Sequence, residues 1–323
     1  MQTKEGGLAI CAVFKNEAPY LDEWIRFHKA QGVSRFYLYN NGSSDNFEVE
    51  LAAHKDAVTL IDWPTPFAQR GQSLAVAHCL TTYGPGHRWV ATIDIDEFLF
   101  GVKERLVDAL ERYDLADQII VNTICYGTSG VDHVPKGQLL RSLLYRAPLE
   151  WPRNRQRKSI VNPSAIRDLA RRSDPGYRLT LPRSVRGKVA LIHEPWMREG
   201  SIIVNGNGER TSQSFEQVTR SERLTNFAMA KFYGILKRLP RIERVVYRRF
   251  ALKIDPNGRQ SNDARRFGGV DVFRINHYTV RSHSEYLNKK GRYAATQYES
   301  TYNDAYFLYH DRNEVYDPII AAG

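Results

Sequence analysis

The first 125 residues alternate between short apolar runs and amphipathic segments, and this rhythm restricts the possible folds more than any other feature of the chain. Continuous apolar runs of this length are typical of buried strands, whereas apolar residues three or four apart are typical of helices. The predicted strands cover residues 8–14, 35–39, 58–62 and 88–93, and the predicted helices cover residues 18–31, 48–54 and 72–82. This alternation predicts βαβ units, and therefore an α/β fold in which helices flank a mostly parallel sheet.

Polar clusters directly follow three of these predicted strands. They occupy residues 15–17, 40–45 and 94–97. Because ligands bind at the carboxyl ends of the strands in such sheets, we expect the three clusters to meet in space. The sequence therefore predicts one ligand site at this edge of the sheet.

The third cluster contains two carboxylates, Asp94 and Asp96, two positions apart at the end of a predicted strand. Residues at this spacing share one face of a strand, and like charges so close are costly unless a cation lies between them. Mg²⁺ and Mn²⁺ prefer carboxylate and phosphate oxygens, and such an ion could stabilise the departure of a diphosphate. The simpler interpretation is that these acids favour the dipole of a helix beginning near Glu104, with Glu97 as its cap.

The charge of the chain is unevenly distributed. The net charge is +10, and residues 141–188 carry 13 Lys and Arg residues against three acidic ones. A basic block suits nucleic acid, an anionic membrane surface or a phosphate-bearing substrate, and a solvated surface is the simpler interpretation. The chain shows no RRM, KH or zinc-finger pattern. Nucleic-acid binding is therefore kept as an alternative function, and we expect no nucleic-acid partner.

Cysteine usage and the N-terminus bear on the compartment. Cys11, Cys79 and Cys125 lie in apolar stretches without paired spacing, which predicts buried thiols in a reducing setting. Residues 1–7 lack a signal-peptide pattern, and no run reaches the roughly 18 apolar residues that span a bilayer. We expect a cytoplasmic protein, and the basic block is compatible with peripheral attachment to the inner face of the membrane.

A series of short motifs lies in a fixed order along the chain. The motifs are residues 13–17 (VFKNE), 21–24 (LDEW), 28 (H), 32–33 (GV), 39–45 (YNNGSSD), 93–98 (IDIDEF), 126–130 (YGTSG), 158–161 (KSIV), 275–278 (INHY) and 284–291 (SEYLNKKG). Together they resemble the glycosyltransferase family 2-like and family 92 group.

The resemblance implies a GT-A fold and a nucleoside-diphosphate sugar donor, with a UDP-sugar expected first. It further implies transfer to a glycan or glycolipid acceptor, assisted by Mn²⁺ or Mg²⁺, with inversion at the anomeric centre. Synthesis of surface polysaccharide or glycolipid is the expected setting. A nucleotidyltransferase of related topology is the alternative enzyme, although it would be expected to carry a glycine-rich basic loop after the first strand.

The resemblance also implies roles for individual residues. The implied metal ligands are Asp94, Asp96 and His277. The implied nucleotide contacts are Lys15, Asn16, Glu17, Asn40, Asn41, Asp45, Gln72 and Asp94. Turn chemistry and helix starts explain the same loop residues equally simply, and His277 is equally compatible with a core histidine. Families of this kind show an aspartate after the second strand where this chain has Asn40, so the base contact stays open among Asn40, Asn41 and Asp45.

An inverting transfer needs a general base near the acceptor hydroxyl, and the sequence does not single it out. The candidates are Asp132 and His133, in the loop where the acceptor is expected to arrive, and Glu194. The basic residues 153–158 and 289–292 could hold the diphosphate or an anionic acceptor.

We predict three parts: a nucleotide-sugar-binding half over residues 1–135, an acceptor-binding half with the basic insertion over 136–295, and a C-terminal tail over 296–323. The predicted elements of the second half are strands over residues 139–145, 188–193 and 271–277 and helices over 219–236 and 284–290. We expect the last ten residues to fray.

Overall fold

The computed structural model describes residues 6–65, 71–166, 170–173, 176–179, 194–195, 197–212, 268–289 and 304–320. Its strands are β1 (Gly6–Phe14), β2 (Arg35–Asn40), β3 (Val58–Asp62), β4 (His87–Thr92), β5 (Glu97–Gly101), β6 (Gln118–Cys125), β7 (Tyr145–Arg146), β8 (Arg157–Val161), β9 (Ala170–Ser173), β10 (Gly176–Leu179), β11 (Ile203–Asn205), β12 (Phe273–His277) and β13 (Val315–Tyr316). Its α-helices are α1 (Ala18–Ala30), α2 (Phe47–Leu51), α3 (Gly71–Thr82), α4 (Leu106–Glu111), α5 (Leu139–Ser142), α6 (His283–Lys289) and α7 (Asp304–His310).

One nine-stranded sheet organises the described residues, in the order β3-β2-β1-β4-β8-β6-β12-β5, with β11 also paired to β6. The pairs β1–β2, β1–β4, β2–β3, β6–β12 and β6–β11 are parallel. β8 runs antiparallel between β4 and β6, and β5 runs antiparallel to β12. The predicted α/β class, with helices flanking a mostly parallel sheet, is confirmed.

Both faces of the sheet are buried, which explains why β1 reads as a continuous apolar run. Leu8, Ile10 and Phe14 point into the larger core, together with residues of α1. Cys11 and Val13 point to the opposite face and pack with residues of α3. Successive side chains of a strand alternate between its two faces. Because both faces are buried, every residue of β1 from Leu8 onward must be apolar or small.

The topology brings several chain segments to one edge. The carboxyl ends of β1, β2, β3, β4, β6 and β12 lie there, together with the amino ends of the antiparallel strands β5 and β8. The three polar clusters predicted to converge all begin at this edge. The division of the chain at residues 135 and 295 stays a prediction, although β8 and β12 of the second predicted part complete the sheet of the first.

Two local predictions are wrong. The predicted edge strand over 139–145 is a short helix, α5, and only Tyr145 of this range enters a strand, β7. The helix forms because the carboxylate of Glu23 accepts the backbone N–H groups of Leu139 (2.9 Å) and Leu140 (3.1 Å) and so caps it. Residues 314–320, the described part of the last ten, are not frayed, because β13 pairs with β7 and the Asp317 carboxylate binds Arg146 and Arg274. The predicted strand over 188–193 and helix over 219–236 lie outside the described residues, whereas β12 and α6 confirm the last two predicted elements.

Helix α1 braces the strand that follows the acidic cluster. The indole N–H of Trp24 donates to the carbonyl oxygen of Glu97 (2.8 Å), and His28 Nε2 accepts the N–H of Leu99 (3.1 Å). Burial lowers the pKa of His28 to about 3, so its imidazole is neutral and Nδ1 donates to the Trp24 carbonyl. These bonds fix the start of β5. Among the described residues, none of the helices is long and apolar enough to cross a membrane.

Gly32, which follows α1, packs closely against Val107. Its φ is +89°, and a Cβ there would lie 2.2 Å from Val107 Cγ2. We expect Gly32→Ala to lower the free energy of unfolding by more than about 1 kcal/mol, because left-handed strain and a steric clash add. Gly137→Ala is the control, since it has a φ of +71° and no atom within 4 Å of its Cβ. Urea unfolding that shows equal losses would contradict the predicted clash.

Candidate active site

The acidic cluster forms a turn between β4 and β5, and not the end of a strand as predicted. Ile93 and Ile95 point into the core, so the acids between and after them still project away from it. The backbone N–H of Asp94 donates to Glu97 Oε2 (2.9 Å), which closes the turn. The helix-cap interpretation is wrong, because Glu97 begins strand β5.

A buried ammonium group lies between two of these carboxylates. Lys158, in β8, is 3% exposed, and its Nζ is 2.7 Å from Asp94 Oδ2 and 3.0 Å from Glu97 Oε2. Burial alone would lower the pKa of Lys158, but the two carboxylates raise it above its ordinary value. Burial raises the pKa of Glu97, and Lys158 opposes this shift. The protein thus supplies one cation of its own to the acidic turn.

Asp94 is held by a second group as well. Gln72, near the start of α3, donates from Nε2 to Asp94 Oδ1 (2.8 Å). Both carboxylate oxygens of Asp94 therefore have protein partners, which are Gln72 and Lys158. Gln72, predicted as a nucleotide contact, lies at the acidic turn and orients its first carboxylate.

His277, at the end of β12, lies beside the second carboxylate of the turn. Its Nε2 is 3.6 Å from Asp96 Oδ1, and its Nδ1 is 3.9 Å from Glu97 Oε1. Burial acts to lower the pKa of His277, but the neighbouring carboxylates outweigh it and raise this pKa overall. The predicted metal residues Asp94, Asp96 and His277 therefore lie around one turn.

Asp96 and His277 are the residues of this turn that could hold a divalent metal. His277 Nε2 faces Asp96 and lies 2.7 Å from Thr279 Oγ1, so a metal between His277 and Asp96 would replace this contact. His277 Nδ1, on the side of Glu97, is buried and has no hydrogen-bond partner among the described residues. Carboxylate oxygen and imidazole nitrogen both suit Mn²⁺. Within the described ranges no group of three or more His, Cys, Asp or Glu side chains is arranged to hold an ion. Ions of this class often take few protein ligands and complete their shell with water and substrate phosphates, so a two-residue site agrees with their chemistry.

The predicted nucleotide loops are tied to one another. Asn16 accepts the backbone N–H of Ser44 (2.7 Å), and Asp45 Oδ2 accepts the N–H of Ala18 (2.8 Å). Asn41 donates to the carbonyl oxygens of Trp63 (2.8 Å) and Thr65 (2.7 Å). These amide and carboxylate groups therefore hold the loops after β1, β2 and β3 in one arrangement.

Asp62, which contacts Asn40, is a site residue that was not predicted from the sequence. Asn40 Nδ2 donates to Asp62 Oδ1 (3.1 Å), and Asn40 Oδ1 accepts the N–H of Ser43 (2.9 Å). Asp62 ends β3 at the edge of the site and is exposed, as is Lys15 after β1. A signal was available, since Asp62 is a charged residue that closes an apolar strand just before Trp63.

Glu17 is engaged by a second missed residue, Arg281. The Arg281 Nη2 atom lies 2.5 Å from Glu17 Oε2, and its guanidinium stacks 3.6 Å from the ring centre of Tyr20. Arg281 is buried and has a left-handed backbone with a φ of +55°. Burial acts to lower its pKa, but Glu17, Tyr20 and Asp96 raise it overall. The segment after His277 thus brings a fixed positive charge near the acidic turn.

The three predicted base candidates occupy different environments. The Asp132 side chain is 84% exposed, and its Oδ1 is 3.4 Å from His283 Nδ1. His133 beside it is exposed. Glu194 is buried, and its Oε1 lies 3.9 Å from Nη1 of Arg157, the residue that precedes Lys158 in β8. Asp132 and His133 belong to the loop after β6, on the edge of the sheet that carries the acidic turn.

Comparison with known proteins relates this geometry to a family. The profile of glycosyltransferase family 92 matches residues 7–169, just over half of the 323 residues. The chain belongs to glycosyltransferase family 92. The matched range contains the acidic turn and Lys158, whereas His277 and Arg281 lie beyond it.

Two plant members of family 92 illustrate the similarity. One from Oryza sativa subsp. japonica is 34% identical over 170 residues, which cover 50% of this chain and 28% of the rice protein. One from Arabidopsis thaliana is 30% identical over 143 residues, which cover 40% of this chain and 24% of that protein. The chain thus matches less than a third of the length of these relatives.

Two solved structures show a distant likeness. S. aureus TarS, residues 1–349, has a TM-score of 0.32 and 13% identity, and the match covers 48% of this chain and 47% of that chain. Glucosyl-3-phosphoglycerate synthase from Mycobacterium tuberculosis, in complex with Mn²⁺ and uridine-diphosphate-glucose, has a TM-score of 0.25 and 16% identity, with coverages of 37% and 43%.

The buried ion cluster predicts a large effect for Lys158→Met. Removing the ammonium leaves the Asp94 and Glu97 carboxylates uncompensated, so we expect a loss of about 3–5 kcal/mol in the free energy of unfolding. The control is Lys136→Met, which breaks the 2.6 Å pair with Glu50 at a side chain that is 63% exposed and should cost less than about 1 kcal/mol. Denaturant titration of both variants checks this, and similar losses would argue against the cluster.

Proposed function

We propose that this family 92 protein is a GT-A-type glycosyltransferase that moves a sugar from a nucleoside-diphosphate donor, with UDP-sugars first, to a glycan or glycolipid acceptor. The observation that supports this most directly is the meeting of the acidic turn with His277 and Lys158 at the carboxyl edge of a mostly parallel sheet. Ligands bind at this edge in open α/β sheets. Family membership supplies the type of reaction.

Asp96 and His277 would hold the metal, and Asp94 would stay with Gln72 and Lys158. A bound Mn²⁺ or Mg²⁺ would neutralise the negative charge that develops on the departing diphosphate. Lys158 and Arg281 are fixed cations near the same turn and add favourable electrostatics, because they are held in place before the reaction. Lys15 and Asp62 are the exposed polar groups at the mouth of the nucleotide loops and are proposed to contact the nucleoside.

Asp132 is the proposed general base. Asp132 is exposed, whereas Glu194 is buried, and it carries a carboxylate, whereas His133 does not. It lies in the loop after β6, on the edge of the sheet that holds the acidic turn. The acceptor oxygen would bond to the anomeric carbon as the bond from that carbon to the diphosphate breaks. The hydroxyl proton passes to Asp132, and the diphosphate leaves with the bonding electron pair. Attack from the face opposite the leaving group gives inversion.

The metal role of Asp96 predicts a clear calorimetric result. We expect UDP to bind wild-type protein more tightly with Mn²⁺ than with EDTA, and Asp96→Ala to lose this difference together with metal-stimulated release of UDP from a nucleotide sugar. Loss of a group that only orients a ligand costs about 10- to 100-fold in metal affinity, so loss of the ligand itself should cost at least as much. Asp108→Ala, which removes an exposed carboxylate paired with Arg105, should behave as wild type. Equal UDP affinity with and without Mn²⁺ in the wild type would count against the metal bridge.

A base at Asp132 predicts a kinetic effect without a binding effect. We expect Asp132→Asn to lower turnover about 10²- to 10⁴-fold, since general base catalysis contributes that much, while UDP affinity is unchanged. Asp114→Asn is the control, because this exposed residue precedes β6 at the opposite edge of the sheet. Unchanged turnover in Asp132→Asn would exclude this residue and return the assignment to His133 or Glu194.

A further inference from the structure

The C-terminal segment, residues 304–320, returns to the carboxyl end of β6 beside the acidic turn. Asp311 Oδ1 accepts the N–H of Thr128, and Asn313 Oδ1 accepts the N–H of Ser129, both at 2.7 Å. A Cβ atom at Gly127 would lie 2.5 Å from the carbonyl oxygen of Arg312, so only glycine permits this approach. The segment is therefore docked closely at the site.

Docking places Arg312 against Trp151. The guanidinium lies 4.0 Å from the centre of the Trp151 ring, and the Arg312 side chain is 26% exposed. Glu314 pairs with its Nη2. The Arg312 side chain is thus partly open to solvent.

Two buried donors in this region lack acceptors. Trp151 Nε1 and Arg312 Nε are both inaccessible, and among the described residues neither has a hydrogen-bond partner. Buried donors are almost always satisfied in native proteins, and each exception needs an explanation, such as a water molecule, an ion or a catalytic role. His310 Nε2 is likewise buried without a partner in the described part of the chain. Because His310 Nδ1 lies 2.9 Å from the Tyr306 carbonyl and donates to it, Nε2 is an acceptor that suits a hydroxyl group.

Several cations act on His310. Burial lowers the pKa of His310, and the charges of Arg153, His277 and Arg312 lower it further. Arg153 and Arg312 therefore both act on His310, and Cys125 at the end of β6 pairs with the proposed metal residue His277 in the β6–β12 register.

We infer that the C-terminal segment completes a binding site for an anionic oxygen group of a sugar substrate. Trp151 and Arg312 donate to the anion, Arg153 adds charge, and His310 accepts from a neighbouring hydroxyl. Arginine matches phosphate and carboxylate oxygens geometrically. The identity of the ligand rests on the proposed function: the anion is either the diphosphate of the donor or an acidic group of the acceptor sugar. The existence of the anion site does not depend on it.

The test uses the full chain and three variants. Arg312→Met removes the charge, and Trp151→Phe removes the indole N–H while an aromatic ring is kept for the guanidinium to stack on. Arg88→Met is the matched control, since Arg88 also stacks 4.0 Å from a tryptophan ring, that of Trp89, but near the amino end of β4. Calorimetry at low salt measures the affinity of each protein for inorganic phosphate, for uridine, and for UDP in the presence of Mn²⁺. Thermal melting checks that each variant is folded.

We expect both site variants to weaken anion binding by roughly tenfold or more, the size of a lost hydrogen bond to a charged group, and the control to match the wild type. If UDP weakens and uridine does not, the anion is the donor diphosphate. If UDP is unchanged but phosphate binding to the UDP-saturated protein weakens, the anion belongs to the acceptor.

Two results would overturn the inference: wild-type affinities for phosphate and UDP in both folded variants, or failure of the wild type to bind either ligand. Should Arg312→Met prove unfolded, Trp151→Phe alone decides between these outcomes. A wild type that binds phosphate through Arg312 but binds no UDP would refute the proposed sugar transfer and leave the anion site standing.

Discussion

The ion cluster of Lys158 with Asp94 and Glu97 is the interaction on which the arrangement of this site depends. Glu97 is 2% and Lys158 is 3% exposed, so neither charge is stable there without the other. β8 lies between β4 and β6 and is antiparallel to both. This arrangement brings its amino end, and with it Lys158, to the acidic turn. One pair of charges thereby links the course of the sheet to the position of the carboxylates.

The other contacts around the turn limit its freedom in the same way. Trp24 and His28 hold the start of β5 from the helix side, and Gln72 holds Asp94 from α3. Together with Lys158 of β8, these contacts fix the turn from α1, α3 and β8 before any ligand binds. Groups held in place in this manner need not reorganise when charge develops on a substrate, which is the main source of electrostatic catalysis.

The strand and helix order could be predicted because burial on both faces of the sheet leaves continuous apolar runs, as in β1. The role of Lys158 could not, since it depends on the antiparallel insertion of β8, a long-range pairing that periodicity does not encode. The sequence placed Lys158 among the basic residues 153–158 that could hold a diphosphate, and in the KSIV motif, but it did not indicate that Lys158 pairs with Asp94 and Glu97. Asn16 and Asn41 illustrate a second limit: an amide that ties two loops together and one that binds a nucleoside look the same in sequence. Arg281 and the docked end of the chain carried no local signal.

The position of β12 has a consequence for synthesis of the chain. β12 lies between β6 and β5, yet it is made long after both, so β5 leaves the ribosome well before the strand that pairs with it. An apolar strand with an unpaired edge is prone to wrong association. Completion of the sheet must therefore wait for the last quarter of the chain, and nascent chains that stall before it would need protection by chaperones.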